Sequence, residues 1–189
     1  MIEIRWHGRG GQGAKTAALL LADAAFATGM YVQGFPEYGP ERMGAPITAY
    51  NRLDDKQIRV HSNIYEPDIV VVVDETLIGP VDVTKGLKKN GKVIVNTNND
   101  PDKVKEKFTD FDGEIYAIDA GDISVRTMGK NLPNTPLLSA VVKVGEIMSQ
   151  DEFYKNMEDS FNHKFTSKPE VIKGNMNALK EAWMGAIRI

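Results

Sequence analysis

The chain of 189 residues contains no cysteine. That excludes disulfides, a thiolate nucleophile and cysteine-held iron–sulfur clusters on this polypeptide. Histidine is nearly as scarce: His7, His61 and His163 lie far apart, without the spacing of a metal-ligand set. No apolar run approaches the roughly 20 residues that span a bilayer, and the N-terminus enters a polar-alternating segment rather than a signal-peptide core. Positive charge is not in excess either. A net charge of −3 provides no polyanion-binding surface, so neither nucleic acid nor membrane is an expected partner. The expectation is a cytoplasmic protein in which residues 1–189 fold as one domain with a full core. Any redox centre it serves must be a bound cofactor or belong to another subunit.

What the sequence has instead is glycine, concentrated in Gly8-Arg9-Gly10-Gly11-Gln12-Gly13. The alternating Ile2-Glu3-Ile4-Arg5-Trp6 before it reads as a strand, and the Ala/Leu-rich run from Ala14 to Ala22 reads as a helix. A glycine-rich turn between the two aims bare backbone N–H groups and the positive helix end at one point, the geometry that holds phosphate or pyrophosphate. Gly8, Gly10 and Gly13 fill the slots of G-x-G-x-x-G. The dinucleotide fingerprint also requires an acid about 20 residues on, at the end of the second strand. Here Met30-Tyr31-Val32-Gln33 runs into Gly34, and the nearest acid is Glu37, beyond Pro36. NAD(P) binding is therefore an alternative, not the leading reading. The stretch also nearly spells a P-loop, but Ala14 stands where the lysine belongs, and moving that lysine to position 15 turns it by about 100°. A turn whose glycines serve close packing alone is the remaining alternative.

Beyond the first helix, about Gly13 to Thr28, the run from Phe35 to Pro46 holds three prolines and two glycines, which forbid regular structure. A loop of that kind near the glycine turn is a candidate functional surface. Ile47–Arg52 and Ile58–His61, on either side of Asp54-Asp55, read as a β-hairpin. The β-branched Asp68–Asp74 and Lys92–Asn96 read as strands buried on both faces, with Glu114–Ile118 as the last strand. Helices are expected near Asp82–Lys89, after Pro101, and over Asp122–Thr127, Thr135–Ser149, Asp151–Asn162 and Lys168–Ala186. The alternation predicts an α/β fold of three α/β/α layers: a mixed, mostly parallel sheet, a Rossmann-like first βα unit and C-terminal helices.

Four motifs occur together in this order: Gly8–Gly13, the loop Tyr38–Pro46, His61–Asp68 and Asn134-Thr135-Pro136-Leu137-Leu138. The set resembles the gamma subunits of the 2-oxoacid:ferredoxin oxidoreductases, the pyruvate enzyme most closely, across essentially the whole chain. The loop reading Arg42-Met43-Gly44-Ala45-Pro46, without the Arg-Gly-Gly of related branches, is similar to the pyruvate/branched-chain type. The resemblance implies oxidative decarboxylation of pyruvate with coenzyme A to acetyl-CoA, electrons passing to ferredoxin. It places thiamine diphosphate, Mg2+ and iron–sulfur clusters on partner alpha, beta and delta subunits. For this chain it implies an assembly role and a contribution to the coenzyme A pocket, in an enzyme whose substrate is pyruvate or, alternatively, a branched-chain 2-oxoacid or 2-oxoglutarate.

On that reading Gly8, Gly10, Gly11 and Gly13 offer N–H groups with no Cβ in the way. Arg9 is a bidentate phosphate donor, Gln12 a hydrogen-bonding partner for phosphate or adenine, and Arg42 a second cation. Asn63 joins the candidate set, with a turn role as its alternative. Asn134-Thr135-Pro136 reads as a helix cap followed by a first-turn proline. No nucleophile–base–orienter constellation is present, and the adjacent Asp74 and Glu75 make a poor acid/base pair. The chain is expected to carry no catalytic residue of its own.

Overall fold

A computed structural model of the chain describes residues 1–37 and 43–189. Seven strands, β1 (Ile2–Arg9), β2 (Tyr31–Pro36), β3 (Pro46–Asp54), β4 (Ile69–Val72), β5 (Lys92–Asn96), β6 (Glu114–Ile118) and β7 (Ile187–Arg188), form one sheet in the order β2-β3-β1-β4-β5-β6-β7. Among the described residues six α-helices accompany them: α1 (Ala14–Phe26), α2 (Pro101–Lys105), α3 (Ala120–Met128), α4 (Asn134–Val144), α5 (Gln150–Lys164) and α6 (Pro169–Gly185). β1, β4, β5 and β6 pair in parallel, β3 runs against β1, β2 runs against β3, and β7 runs against β6. Five strands thus share one direction, and the sheet is mixed and mostly parallel, as expected.

The two outer layers are unequal. Ile69, Val71 and Val73 face a large core shared with α1, α3, α4, α5 and α6. Val70, Val72, Val93 and Val95 face the other way, against Val104 of α2, Phe108 and the irregular segment holding Leu77 and Val83. Burial on both faces is why these strands read as unbroken β-branched runs rather than alternating ones. α1 sits close because it is built largely of alanine. Gly34 of β2 extends the fit, since a Cβ there would come within 3.1 Å of the Ala18 carbonyl and of Ala22 Cβ.

Several sequence expectations are corrected. Residues 57–61 form no strand, so there is no Ile58–His61 hairpin; β3 pairs with β2 on one side and β1 on the other, and β3 and β7 are the strands that make the sheet mixed. β2 is consequently the outer strand, not the neighbour of β1. The Rossmann-like resemblance stops after β1, the glycine turn and α1. Residues 82–89 form turns instead of a helix. The C-terminal β7, two residues long, follows what was read as the last strand. α4 ends at Val144 before Gly145, and Ser149 instead caps α5 through a reciprocal capping box with Glu152.

Three buried polar clusters join the elements. Fully buried Asn51 of β3 accepts from the Trp6 indole Nε1 at 2.8 Å and donates to the Ala18 carbonyl at 2.7 Å, tying β1, β3 and α1 at one point. On the opposite sheet face, Arg5 Nε donates to His7 Nε2 at 3.0 Å, and Arg5 Nη2 donates to the carbonyls of Val83 and Lys85. Arg52, 1% exposed, donates to Glu3 at 2.8 Å and to Gln33 at 3.2 Å, with its guanidinium over the Phe35 ring.

Asn51→Leu strands the Trp6 indole N–H inside the core, while the Ala18 carbonyl keeps its helical partner, so equilibrium denaturation should show a loss of about 1–3 kcal/mol. An unchanged midpoint contradicts the clasp. His7 supplies a pH test. Burial, then the neighbouring Arg5 charge, lowers its pKa from 6.5 to about 4. The unfolded chain therefore binds more protons between pH 6.5 and 4. Stability should fall by about 3 kcal/mol as pH drops through that window and level off below it. His7→Gln, which keeps an acceptor for Arg5, should remove that component of the slope in paired denaturation series. Parallel slopes for the two proteins would refute it.

Candidate functional site

The glycine turn closes in a space with no room for side chains. A Cβ on Gly8 would lie 3.2 Å from Ala14 Cβ and 3.4 Å from Val73 Cβ. Gly11 and Gly13 adopt φ +94 and +81, the left-handed region that L side chains rarely enter. A Cβ on Gly13 would also stand 2.9 Å from Asn134 Cγ. Gly10 is braced from outside, its N–H donating to the Ala45 carbonyl at 2.9 Å and its carbonyl accepting from Gly44 N–H at 3.0 Å. The loop that the sequence marked thus packs on the turn through residues 43–45. Arg42 and residues 38–41 lie outside the described residues.

The turn delivers α1 with an open end. Gly13 occupies the cap position without a side-chain hydrogen bond, and no acid stands in the first helical turn. Among the described residues, no acceptor pairs with the N–H groups of Gly11, Gly13, Ala14, Lys15 or Thr16. Ala14 is fully buried and Lys15 exposed, which explains in packing terms why the P-loop spelling fails: the lysine position points into the core. A helix end with bare donors and a positive dipole favours a bound anion.

Arg9 and Gln12 are brought to the turn but largely occupied there. Arg9 donates to Thr76 Oγ1 at 2.9 Å and to the Gly44 carbonyl at 3.2 Å, and its Nε lies 3.2 Å from Asp74 Oδ2. Gln12 accepts from its neighbour Arg9 N–H at 2.8 Å and donates to Asp74 Oδ2 at 2.6 Å. Burial pushes the Asp74 carboxyl up, but hydrogen bonds from Thr76 and Gln12 and the Arg9 charge outweigh it and hold the pKa below its ordinary value. Asp74 is therefore the anionic anchor of the turn. Its neighbour Glu75 turns to Thr97, Asn99 and Lys107, so the two carboxylates do not converge.

Asn63 is not at this site. Its carbonyl accepts from Arg52, which pairs with Glu3 near the start of β1, whereas Gly8 pairs with Ile47. Five residues of strand separate the two levels, roughly 17 Å. Trp6 is core, and His61 is exposed. Asn134 and Thr135, read as a cap, do not cap α4: the cap position is Pro133, Asn134 is the first helical residue, and Thr135 Oγ1 bonds Asn175 at 3.0 Å. Glu37, the nearest acid after β2, accepts from the Tyr50 hydroxyl at 3.1 Å.

Two clefts flank the open helix end. One, of ≈ 410 Å³, lies toward β2 and β3 and is lined by Gly10, Lys15, Glu37, Met43 and Thr48. The other, of ≈ 560 Å³, lies toward α4, α5 and α6 and is lined by Asn134, Phe165 and three lysines, Lys130, Lys164 and Lys168. Gly11, Gly13 and Thr16 line both. The second cleft was not foreseen from sequence, because its residues come from four separate helices and loops.

With this fold and site in view, the comparisons with known proteins define the class. The sequence matches the pyruvate ferredoxin/flavodoxin oxidoreductase family over residues 3–184, and the chain belongs to that family. It is a gamma-type oxidoreductase subunit, as its motifs implied. It is 48% identical, over 96% of its length and 92% of the relative's, to pyruvate synthase subunit PorC of Thermotoga maritima. It is 47% identical, covering 97% and 96%, to the pyruvate/ketoisovalerate oxidoreductases common subunit gamma of Thermococcus litoralis. The crystal structure of pyruvate oxidoreductase subunit PORC from Thermotoga maritima superposes with a TM-score of 0.85, 42% identity and coverage of 99% and 97%. The same fold occurs at 18% identity and a TM-score of 0.69 in 2-oxoglutarate:ferredoxin oxidoreductase from Magnetococcus marinus, where the match covers 30% of that longer chain. No helix among the described residues is long and apolar enough to cross a membrane.

Gly13→Ala should destabilise the fold by about 2–3 kcal/mol, from left-handed strain plus the clash with Asn134. In a denaturation double-mutant cycle, Asn134→Ala should relieve part of that loss. Strict additivity would show that the contact with Asn134 is not what excludes a side chain at position 13.

Proposed function

We propose that this chain is the gamma subunit of a pyruvate:ferredoxin oxidoreductase and that the open end of α1 holds phosphate groups of coenzyme A. The observation that carries the first part is the 48% identity, across 96% of the chain, to a pyruvate synthase subunit. The second part rests on the unpaired N–H groups of Gly11 and of Gly13 to Thr16 among the described residues, a donor set suited to a phosphate ester. The structure of the Magnetococcus marinus enzyme, which contains this fold, has 2-oxoglutarate, coenzyme A and succinyl-CoA bound.

In this reading thiamine diphosphate, Mg2+ and iron–sulfur clusters reside on the alpha, beta and delta partners. They supply decarboxylation and electron transfer to ferredoxin. This chain binds and orients: backbone amides neutralise the phosphates, Asp74 with Arg9 and Gln12 fixes the shape of the turn, and the loop at Met43–Ala45 closes beside it. The protein's contribution is placement of the thiol-bearing co-substrate, and no residue here makes or breaks a bond. Arg9 steadies the turn in the absence of ligand, so its exposed guanidinium edge is at most an accessory phosphate contact. A second substrate reading, service to a branched-chain 2-oxoacid enzyme as well, is favoured by the 47% identity to a subunit common to pyruvate and ketoisovalerate oxidoreductases.

Anaerobic isolation of the native complex through this chain tests the assignment. The expected result is co-purification of thiamine- and iron–sulfur-bearing subunits and pyruvate-dependent viologen reduction that requires coenzyme A. A chain recovered without such partners, and binding NADH in a fluorescence titration, would overturn it in favour of a dehydrogenase domain.

A further inference from the structure

The two edges of the sheet are finished differently. One is blunted: β7 is two residues long and carries Arg188, whose Nη1 lies 3.1 Å from Glu114 Oε1. The other, β2, is six residues long and holds no charged residue. Glu37 N–H donates to the Thr48 carbonyl, and hydrogen-bonded pairs alternate along an antiparallel ladder, so Phe35, Gln33 and Tyr31 also turn their backbone groups toward β3. Val32 and Gly34 therefore direct N–H and C=O groups away from the sheet, and no described group pairs with them. Pro36, which has no N–H to lose, takes the next outward position. The flank of α1 beside this edge is partly apolar. Lys15, Leu19, Asp23 and Phe26 form its exposed stripe, with Leu19 43% and Phe26 69% exposed, next to Ala18 and Ala22, which rest on Gly34. Tyr31, half exposed, stands at the start of β2. Lys15 and Asp23 lie four residues to either side of Leu19, and no ion pair among the described residues engages either charge. A copy running antiparallel about Leu19 sets each lysine against the other copy's aspartate. The spacing agrees as well. Gly34 packs beneath Ala18, and Asn51, its partner in β3, donates to the Ala18 carbonyl, which places α1 over the β2–β3 pair. With strands about 4.8 Å apart, two such helices on either side of a β2–β2 seam lie roughly 10 Å from each other, the usual separation of packed helices.

We infer that β2 and the exposed stripe of α1 form a two-fold interface with a second copy of this chain. The two sheets join edge to edge and antiparallel, with Gly34 near the axis, and Val32 and Gly34 give their outward N–H groups to carbonyls of the second copy. Above this seam Leu19 meets Leu19 of the second copy, flanked by two Lys15–Asp23 ion pairs. One patch serves both sides, as a two-fold contact requires. The inference is independent of the coenzyme A reading.

Sedimentation equilibrium of the purified full-length chain should give twice the 20.9 kDa of one copy. Asp23→Lys sets like charges against each other across the axis and should raise the dissociation constant of the dimer about tenfold or more. Adding Lys15→Asp restores opposite charges and should bring that constant back toward wild type, a rescue that only a self-complementary contact allows. Val32→Pro removes an outward N–H and leaves the bonds to β3 in place, so it should weaken the dimer while its melting temperature stays near wild type. A chain that sediments at 20.9 kDa, or a double variant that associates no better than Asp23→Lys, would overturn the inference. The assembled enzyme gives a second test, because the chain has no thiol of its own. Leu19→Cys treated with a short bismaleimide should link two copies of this chain. A link to a different subunit, or none, would show that something other than a second copy covers this edge, and the inference would fall.

Discussion

The structure depends on how closely α1 can approach the sheet where β1 ends. Gly8 meets Ala14 and Val73, Gly34 meets Ala18 and Ala22, and Gly13 meets Asn134, each at a distance where a side chain would crowd its neighbours. Close packing of this kind is a steric constraint before it is a functional one. Its consequence, however, is a helix whose first turn emerges uncapped, with its dipole and its N–H groups directed into open clefts. The close packing of these glycines and the open helix end are thus one feature seen from two sides.

Around that turn the polar residues divide their work. Asp74, placed just beyond β4, gathers Gln12, Thr76 and Arg9 and fixes the turn's outline without a ligand. A preformed turn loses less conformational entropy when an anion arrives than one ordered by binding. Asn51 does the corresponding task inside the core, holding α1 to β1 and β3 through a single amide.

Much of this was legible from sequence. The buried strands from Ile69 and Lys92 follow from β-branched runs, and the turn follows from glycine spacing between a strand and an alanine-rich helix. What escaped has physical reasons. Alternation in Ile58–His61 resembles a strand, but those residues gain no ladder, because β3 already pairs on both edges. Pairing of β2 outside β3 is a long-range choice that no local pattern records. Asn63 was carried into the site by a motif shared with a family, and register places it at the other end of β1. Asn-Thr-Pro is a sound capping pattern, and on sequence alone it makes Asn134 a cap. The backbone instead begins the helix at Asn134 itself and leaves its amide free of the helix end.

The central claim is that this chain presents coenzyme A to chemistry carried out by its partners, holding it by phosphate at the start of α1. A structure of the assembled enzyme with coenzyme A bound, at a resolution that places phosphorus atoms, tests it most directly. A phosphate group is expected within hydrogen-bonding distance of the backbone N–H groups between Gly11 and Thr16. Coenzyme A bound entirely by partner subunits, with this helix end facing solvent, would contradict it.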